Sequence, residues 1–220
     1  MYLIDSCKII KNNLNFRIKN KYTNFEVIMS LALKTFIANY ATFRPDELEQ
    51  IVSSFKHKKF KKNEFVLTKG SVCQDLVFVE KGCLRLYYIQ DDIETSVWFA
   101  MQNSSAIEMH SFISETPTNY YIQAIEDSEI AYLPKIELTI LYQKYPVLQE
   151  MMRKFWEDVI INLLERFTAL QRDSAEKRYL DLLNKPDYLQ NIPQKYLASF
   201  IGVTPTSLSR IKKQIMLQGQ

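Results

Sequence analysis

The sequence predicts an α+β protein in three parts: helices leading into a β-barrel or sandwich, one long helix, and a terminal helix–turn–helix. Three observations predict it. From Lys56 to Leu133 the apolar residues fall in short runs rich in Val, Ile, Tyr and Phe, punctuated by Gly and Asp. After Pro146 they recur every three or four positions for almost thirty residues. The chain then closes on two short amphipathic blocks joined at Ile201, Gly202 and Val203.

Residues 1–28 are rich in Asn and Lys and weakly patterned, and they read as an N-terminal extension. A helical pattern follows Met29 through Leu31, Leu33, Phe36, Ile37 and Tyr40. A second helix should open at Pro45, a residue suited to the first turn, with Leu48, Ile51, Val52 and Phe55 facing inward. At least six strands come next: EFVLTKG, DLVFVEKG, CLRLYYIQDD, IETSVWFAM, NYYIQAIEDSE and EIAYLP. The insert SAIEMHSFISETP reads as a short helical turn between two of them. Residues 29–145 thus form one β-rich domain.

Residues 146–173 form the long helix, about 40 Å at 1.5 Å per residue. Leu148, Met152, Phe155, Val159, Leu163, Phe167 and Leu170 make one apolar stripe, widened by Met151, Trp156, Ile160 and Leu164. A stripe that long and broad can serve a core on one side and a second subunit on the other. Residues 174–220 form the terminal unit, beginning with a helix from Ala175 to Asn184.

Charge and composition narrow the function. Hydrophobic content is 47% and charged content 24%, ordinary for a globular protein, and no apolar run approaches a membrane span. The first residues lack the apolar core of a secretory signal, because Asp5, Lys8 and Lys11 interrupt it. Cys7, Cys73 and Cys83 are odd in number and far apart, which suits reduced thiols in a cytoplasm. No metal, iron–sulfur or other cofactor site is expected, and His57 and His110 stand alone. No phosphate loop, zinc spacing or nucleophile–base set points to an enzyme. Residues 172–220 carry eight basic against four acidic side chains, and from Tyr188 onward there is no Asp or Glu. A basic unit on a mildly acidic body suggests a polyanion-binding end.

That end reads as helix–turn–helix. In the first block Asn191 is placed to cap, Pro193 to start the turn, and Leu197 and Ile201 to face inward. Ala198 is small where a second helix would cross, and Gly202 suits the turn. Thr204 should cap the second helix, Pro205 open it, and Leu208 and Ile211 face the first. Thr206, Ser207, Ser209, Arg210 and Lys213 are left outward, with Lys212 beside them. Short hydrogen-bonding residues plus cations are what a major-groove recognition helix needs.

The order of parts over roughly Met29 to Leu217, and PQKYLASFIGVTPTSLSRIKK most of all, resembles the Crp/Fnr family of transcription regulators, in its Bacteroidetes-type form. The resemblance implies a cyclic-nucleotide-binding-type β-barrel of jelly-roll form, a homodimer made through the long helix, a palindromic double-stranded operator and RNA polymerase as protein partner. It places Arg210 on the family's guanine-reading arginine, and Gln194 and Lys195 on phosphate-contacting positions. Thr206 and Pro205 stand where better-known members carry Glu and Arg, so a different half-site is expected. The family's hairpin wing is expected to be reduced or absent, since Gln220 ends the sequence.

In the sensor, Glu108 falls on the family's ribose-binding glutamate, but Ile107 replaces the adjoining glycine. Thr118, Asn119 and Tyr120 replace its Arg-Ser-Ala. Leu86 to Pro134 contains no Lys or Arg, so a buried cyclic phosphate would meet no cation, and binding of cyclic AMP in the usual manner is not expected. Glu108 then reads as an effector contact or as a helix cap. Tyr87, Tyr88, Trp98, Phe99, Tyr120 and Tyr121 could fill a core or line a pocket for an apolar or aromatic effector. A different reading of the whole chain is a regulatory scaffold whose terminal helices dock a protein; its affinity would withstand salt, where DNA binding would weaken steeply.

Overall fold

The computed structural model describes residues 25–184 and 186–218. Helix α1 (Phe25–Ala38) begins four residues before Met29, and α2 (Pro45–Ser53) starts with its proline in the first turn. Eight strands follow: β1 (Lys56–Phe60), β2 (Phe65–Leu67), β3 (Asp75–Lys81), β4 (Cys83–Gln90), β5 (Ile93–Met101), β6 (Ser104–Ala106), β7 (Tyr120–Ala124) and β8 (Ser128–Pro134). Helix α3 (Met109–Ser114) interrupts them, and α4 (Lys135–Lys144) runs into the long α5 (Pro146–Arg172). The terminal unit holds α6 (Ala175–Leu183), α7 (Pro186–Asn191), α8 (Gln194–Phe200) and α9 (Pro205–Gln218). The expected extension over residues 1–28 lies, but for its last four residues, outside the described residues, as does Cys7.

The strands form two antiparallel four-stranded sheets, ordered β1-β8-β3-β6 and β2-β7-β4-β5. They do not join into a closed barrel; the domain is a sandwich of jelly-roll type. Between the sheets lie Val77, Val79, Leu84, Ala100, Ile122, Ala124 and Ile130. Phe78, Ala131 and Leu133 point the other way, and α1, α2, α4 and the first half of α5 cover them with Leu33, Ile37, Ile51, Leu148, Met152 and Phe155. Alternation along β3 and β8 therefore feeds two cores at once.

One turn fixes the β4–β5 register of the second sheet, and another carries the chain from the first sheet to the second. Asp91 and Asp92 both take positive φ, the backbone a two-residue hairpin needs, and Gln90 pairs with Ile93 across it. Gly82, at φ +87, turns β3 into β4 where a Cβ would stand 2.4 Å from the Ser128 hydroxyl. Within β4–β5, Leu86 pairs with Trp98 and Tyr87 with Ser96, which leaves Val97 as an extra residue, a β-bulge.

Candidate nucleic-acid interface and sensor cavity

In the terminal helices, Leu197 and Leu208 are fully buried and bring α8 and α9 together over Ala198. Gly202 makes the turn at φ +73, and the Val203 N–H donates to the Ala198 carbonyl at 2.9 Å. Thr204 caps α9, its hydroxyl oxygen accepting from the Ser207 N–H at 3.1 Å. Asn191 is not the cap of α8: it is the last residue of α7, and Pro193 occupies the capping position without a side-chain bond. A separate short helix fits between Pro186 and Asn191, so the block begins later than capping chemistry suggests.

Thr206, Arg210 and Lys213 are exposed and sit four and three residues apart, one stripe on α9. None of Arg210, Lys212 and Lys213 is ion-paired among the described residues. The hydroxyls beside the stripe are committed to the helix itself. Ser209 donates to the Pro205 carbonyl at 3.0 Å, and Thr204 donates to the Ser207 hydroxyl at 3.0 Å. Lys212 is half-buried, its Nζ 5.8 Å from the Tyr179 ring centroid. Gln194 and Lys195 are exposed at the start of α8, and Lys195 Nζ lies 4.0 Å from the Glu94 carboxylate on β5.

That last contact belongs to a joint that the sequence did not announce. Helix α8 lies on the outer face of β4 and β5, where Leu197, Ala198 and Ile201 share one core with Cys83, Phe99 and Ile125. Arg85 of β4 is fully buried there, its guanidinium 4.1 Å from the Tyr87 ring and 3.8 Å from the Tyr196 ring. Its Nε donates to the Ser96 hydroxyl at 2.8 Å and its Nη1 to Glu94 at 2.7 Å, while Nη2 has no partner among the described residues. The Ser199 hydroxyl of α8 donates to the Ser96 hydroxyl at 2.8 Å. From α5, Arg166 donates to the Phe200 carbonyl at 2.9 Å and stacks on that ring at 3.6 Å; burial lowers its pKa to about 10, still cationic at neutral pH. Arg178 of α6 donates to the Ile201 carbonyl at 2.8 Å. Burial pushes the Cys83 thiol up to about 12, so at neutral pH it is packing rather than a nucleophile.

The sandwich side holds a cavity of about 650 Å³ between the sheets, α1 and α5. Glu108 and Tyr120 line it, and so do Trp98, Tyr40 and Asp158. Glu108 caps α3, its two oxygens accepting from the His110 and Ser111 N–H groups at 3.1 and 3.0 Å. Thr118 and Asn119 are not among the lining residues. Thr118 is buried with its hydroxyl oxygen accepting from the Tyr120 N–H at 3.0 Å, and Asn119 faces solvent. Of the other aromatics, Tyr87 stacks on Tyr121 with ring centroids 5.1 Å apart, and Tyr88 meets Tyr120 edge-on. Phe99 is buried under α8. His57 faces the Glu80 carboxylate at 3.0 Å, and among the described residues no group of His, Cys, Asp and Glu could hold a metal ion. Nor is any helix of those residues long and apolar enough to cross a membrane.

Residues 57–145 match the cyclic nucleotide-binding domain. No curated protein matches the chain by sequence. Among solved structures, FixK2 from Bradyrhizobium japonicum superposes with a TM-score of 0.65 at 15% identity, over 75% of this chain and 86% of its own. The c-di-GMP-responsive global regulator CLP of Xanthomonas campestris gives 0.64 at 15% identity, over 80% and 93%. A protein from Eubacterium rectale assigned to the Crp/Fnr transcriptional regulators gives 0.62 at 14% identity, over 80% and 85%. By sequence, residues 57–145 thus match a cyclic nucleotide-binding domain, and the chain shares its fold with solved regulators of the Crp/Fnr type.

Proposed function

We propose that this protein is a sequence-specific DNA-binding transcription regulator of the Crp/Fnr type, acting as a homodimer in the cytoplasm. The observation that carries the reading is the open stripe Thr206, Arg210 and Lys213 on α9, free of carboxylates and presented on a capped helix. Arg210 has the donor fork that reads a guanine edge, and Lys213 and Lys195 supply phosphate contacts that set the register.

Helix α5 supplies the second subunit's surface. Past Phe155 its apolar stripe leaves the core, and Ile160, Ile161, Leu164, Phe167 and Leu170 stand exposed, Leu164 and Phe167 at 60% and 58%. Burying such a stripe against its symmetry mate would set two α9 helices for successive major grooves, about 34 Å apart, on a palindromic operator. The sandwich is a sensor domain that does not take cyclic AMP in the usual manner, because among the described residues no Lys or Arg lines its cavity. RNA polymerase is the partner such a regulator would address.

Mobility shift with the duplex upstream of the protein's own coding region tests the reading. Wild type should retard it, with affinity falling about a thousandfold or more from 50 to 200 mM salt if six or more phosphates are contacted. Arg210→Ala should lose about 1–3 kcal/mol of sequence-specific affinity while sedimenting as wild type does. Retardation that Arg210→Ala leaves unchanged, or a complex indifferent to salt, would favour a protein-docking scaffold instead.

A further inference from the structure

The cavity between the sandwich and α5 has an unusual electrostatic make-up. Phe36, Tyr40, Trp98, Tyr120 and Phe155 give its wall of about 650 Å³ five aromatic rings. Two carboxylates, Glu108 and Asp158, belong to that wall with the exposed His110, and among the described residues no Lys or Arg does. Both are held in place by neutral donors. Glu108 accepts two backbone N–H groups of α3, and Asp158 accepts the Tyr40 hydroxyl. Burial, with Asp158 beside it, pushes the Tyr40 hydroxyl up to about 12, so it remains a donor throughout the neutral range. Neither carboxylate is ion-paired among the described residues, so both can pair with a cation in the cavity. The rings add negative π-faces, which favour the same sign of guest.

We propose that this cavity takes an organic cation, an ammonium or quaternary ammonium carried on an apolar or aromatic body. The assignment rests on reading the sandwich as a sensor and names the chemistry it senses. The cationic head lies toward Asp158 and Glu108, and the body lies on Trp98 and Phe155. An anion of the same size meets two carboxylates and no counter-charge. Because Asp158 and Phe155 belong to α5, occupancy is registered on the helix that also carries Arg166 to the terminal unit.

Isothermal titration of the full chain with phenethylammonium, phenethyl alcohol, hydrocinnamate and cyclic AMP tests this. The four probes separate charge from body. Phenethylammonium should bind about tenfold or more tightly than the alcohol, the gain expected for pairing a hydrogen-bonded charge, and the two anions should bind more weakly still. Asp158→Asn should reduce the preference for the cation over the alcohol to less than about threefold; it keeps the side chain's size and an acceptor for Tyr40. Glu108→Gln gives a second, independent readout, with circular dichroism checking that α3 remains. Equal or tighter binding of hydrocinnamate or cyclic AMP overturns the proposal. So do the absence of heat from the ammonium at millimolar concentration, and a preference that survives both substitutions. DNA retardation by the same preparation separates this from the regulator reading: retardation without cation preference sinks only the cavity assignment, and cation preference without retardation sinks only the DNA assignment.

Discussion

Arg85 is one of the side chains by which the second sheet holds the terminal helices, and replacing it with Met should loosen that hold selectively. Met keeps most of the volume and removes the charge. Breaking a buried ion pair from one side costs about 3–5 kcal/mol, but Glu94 is a third exposed and recovers solvent, so the expected loss is about 2–3 kcal/mol. The Tyr196 ring, 3.8 Å away, accounts for the part that crosses between sheet and α8, about 1 kcal/mol for a desolvated cation–π contact. Urea unfolding of wild type, Arg85→Met, Tyr196→Leu and the double variant closes the cycle. Far-UV circular dichroism follows the helices, and the fluorescence of Trp98 and Trp156 follows the sandwich and the half of α5 packed on it. Wild type should give coincident transitions, and Arg85→Met should let the helical signal leave first. A coupling energy below about 0.3 kcal/mol would refute the reasoning, because residues in contact should not behave additively.

The remaining expectations concern the sandwich and α5. Burial holds the pKa of Glu80 above the usual carboxylate range despite the bond to His57, and its Oε1 has no partner among the described residues. A raised pKa in the fold means that Glu80 costs stability as pH rises through it. Glu80→Gln should therefore melt higher than wild type at pH 7, by about 1 kcal/mol, and lose that advantage near pH 4; an advantage that grows in acid would refute this. Gly82→Ala should cost about 2–3 kcal/mol, from positive φ plus the approach to Ser128, whereas Gly70→Ala has the same φ and open space and should cost about 1 kcal/mol in the same melts. Leu164→Lys combined with Phe167→Lys should convert a dimer into a monomer in sedimentation equilibrium without lowering the melting temperature of the sandwich, since both side chains are exposed.

Sequence pattern revealed the parts and missed what joins them. Strands such as DLVFVEK and the helix after Pro146 were legible because burial imposes their periods directly. Strand β1, KHKKF, was not legible, since four of its five residues face solvent on a sheet edge where charge keeps other strands away. The exposed stripe on α9 could be read because that helix has one buried face and one open face. The joint could not. Arg85 in CLRLYYIQ looks like an ordinary outward residue, and only the arrival of α8 on that side buries it. Ser96 and Trp98, two apart, should by alternation share a face, yet the bulge at Val97 sends Ser96 to α8 and Trp98 to the cavity. No local signal marks a single extra residue in a strand. The cavity's aromatic lining was half visible for a related reason: aromatics in strands fill cores and line cavities with equal ease, and Asp158 belongs to a helix far along the chain.

The bulge at Val97 also turns one strand into a party wall. A molecule in the cavity would lean on β5 from within, and α8, the helix on which α9 packs, leans on it from outside. A single layer of backbone separates cavity and α8, so neither can be resized without the other's footing being redrawn.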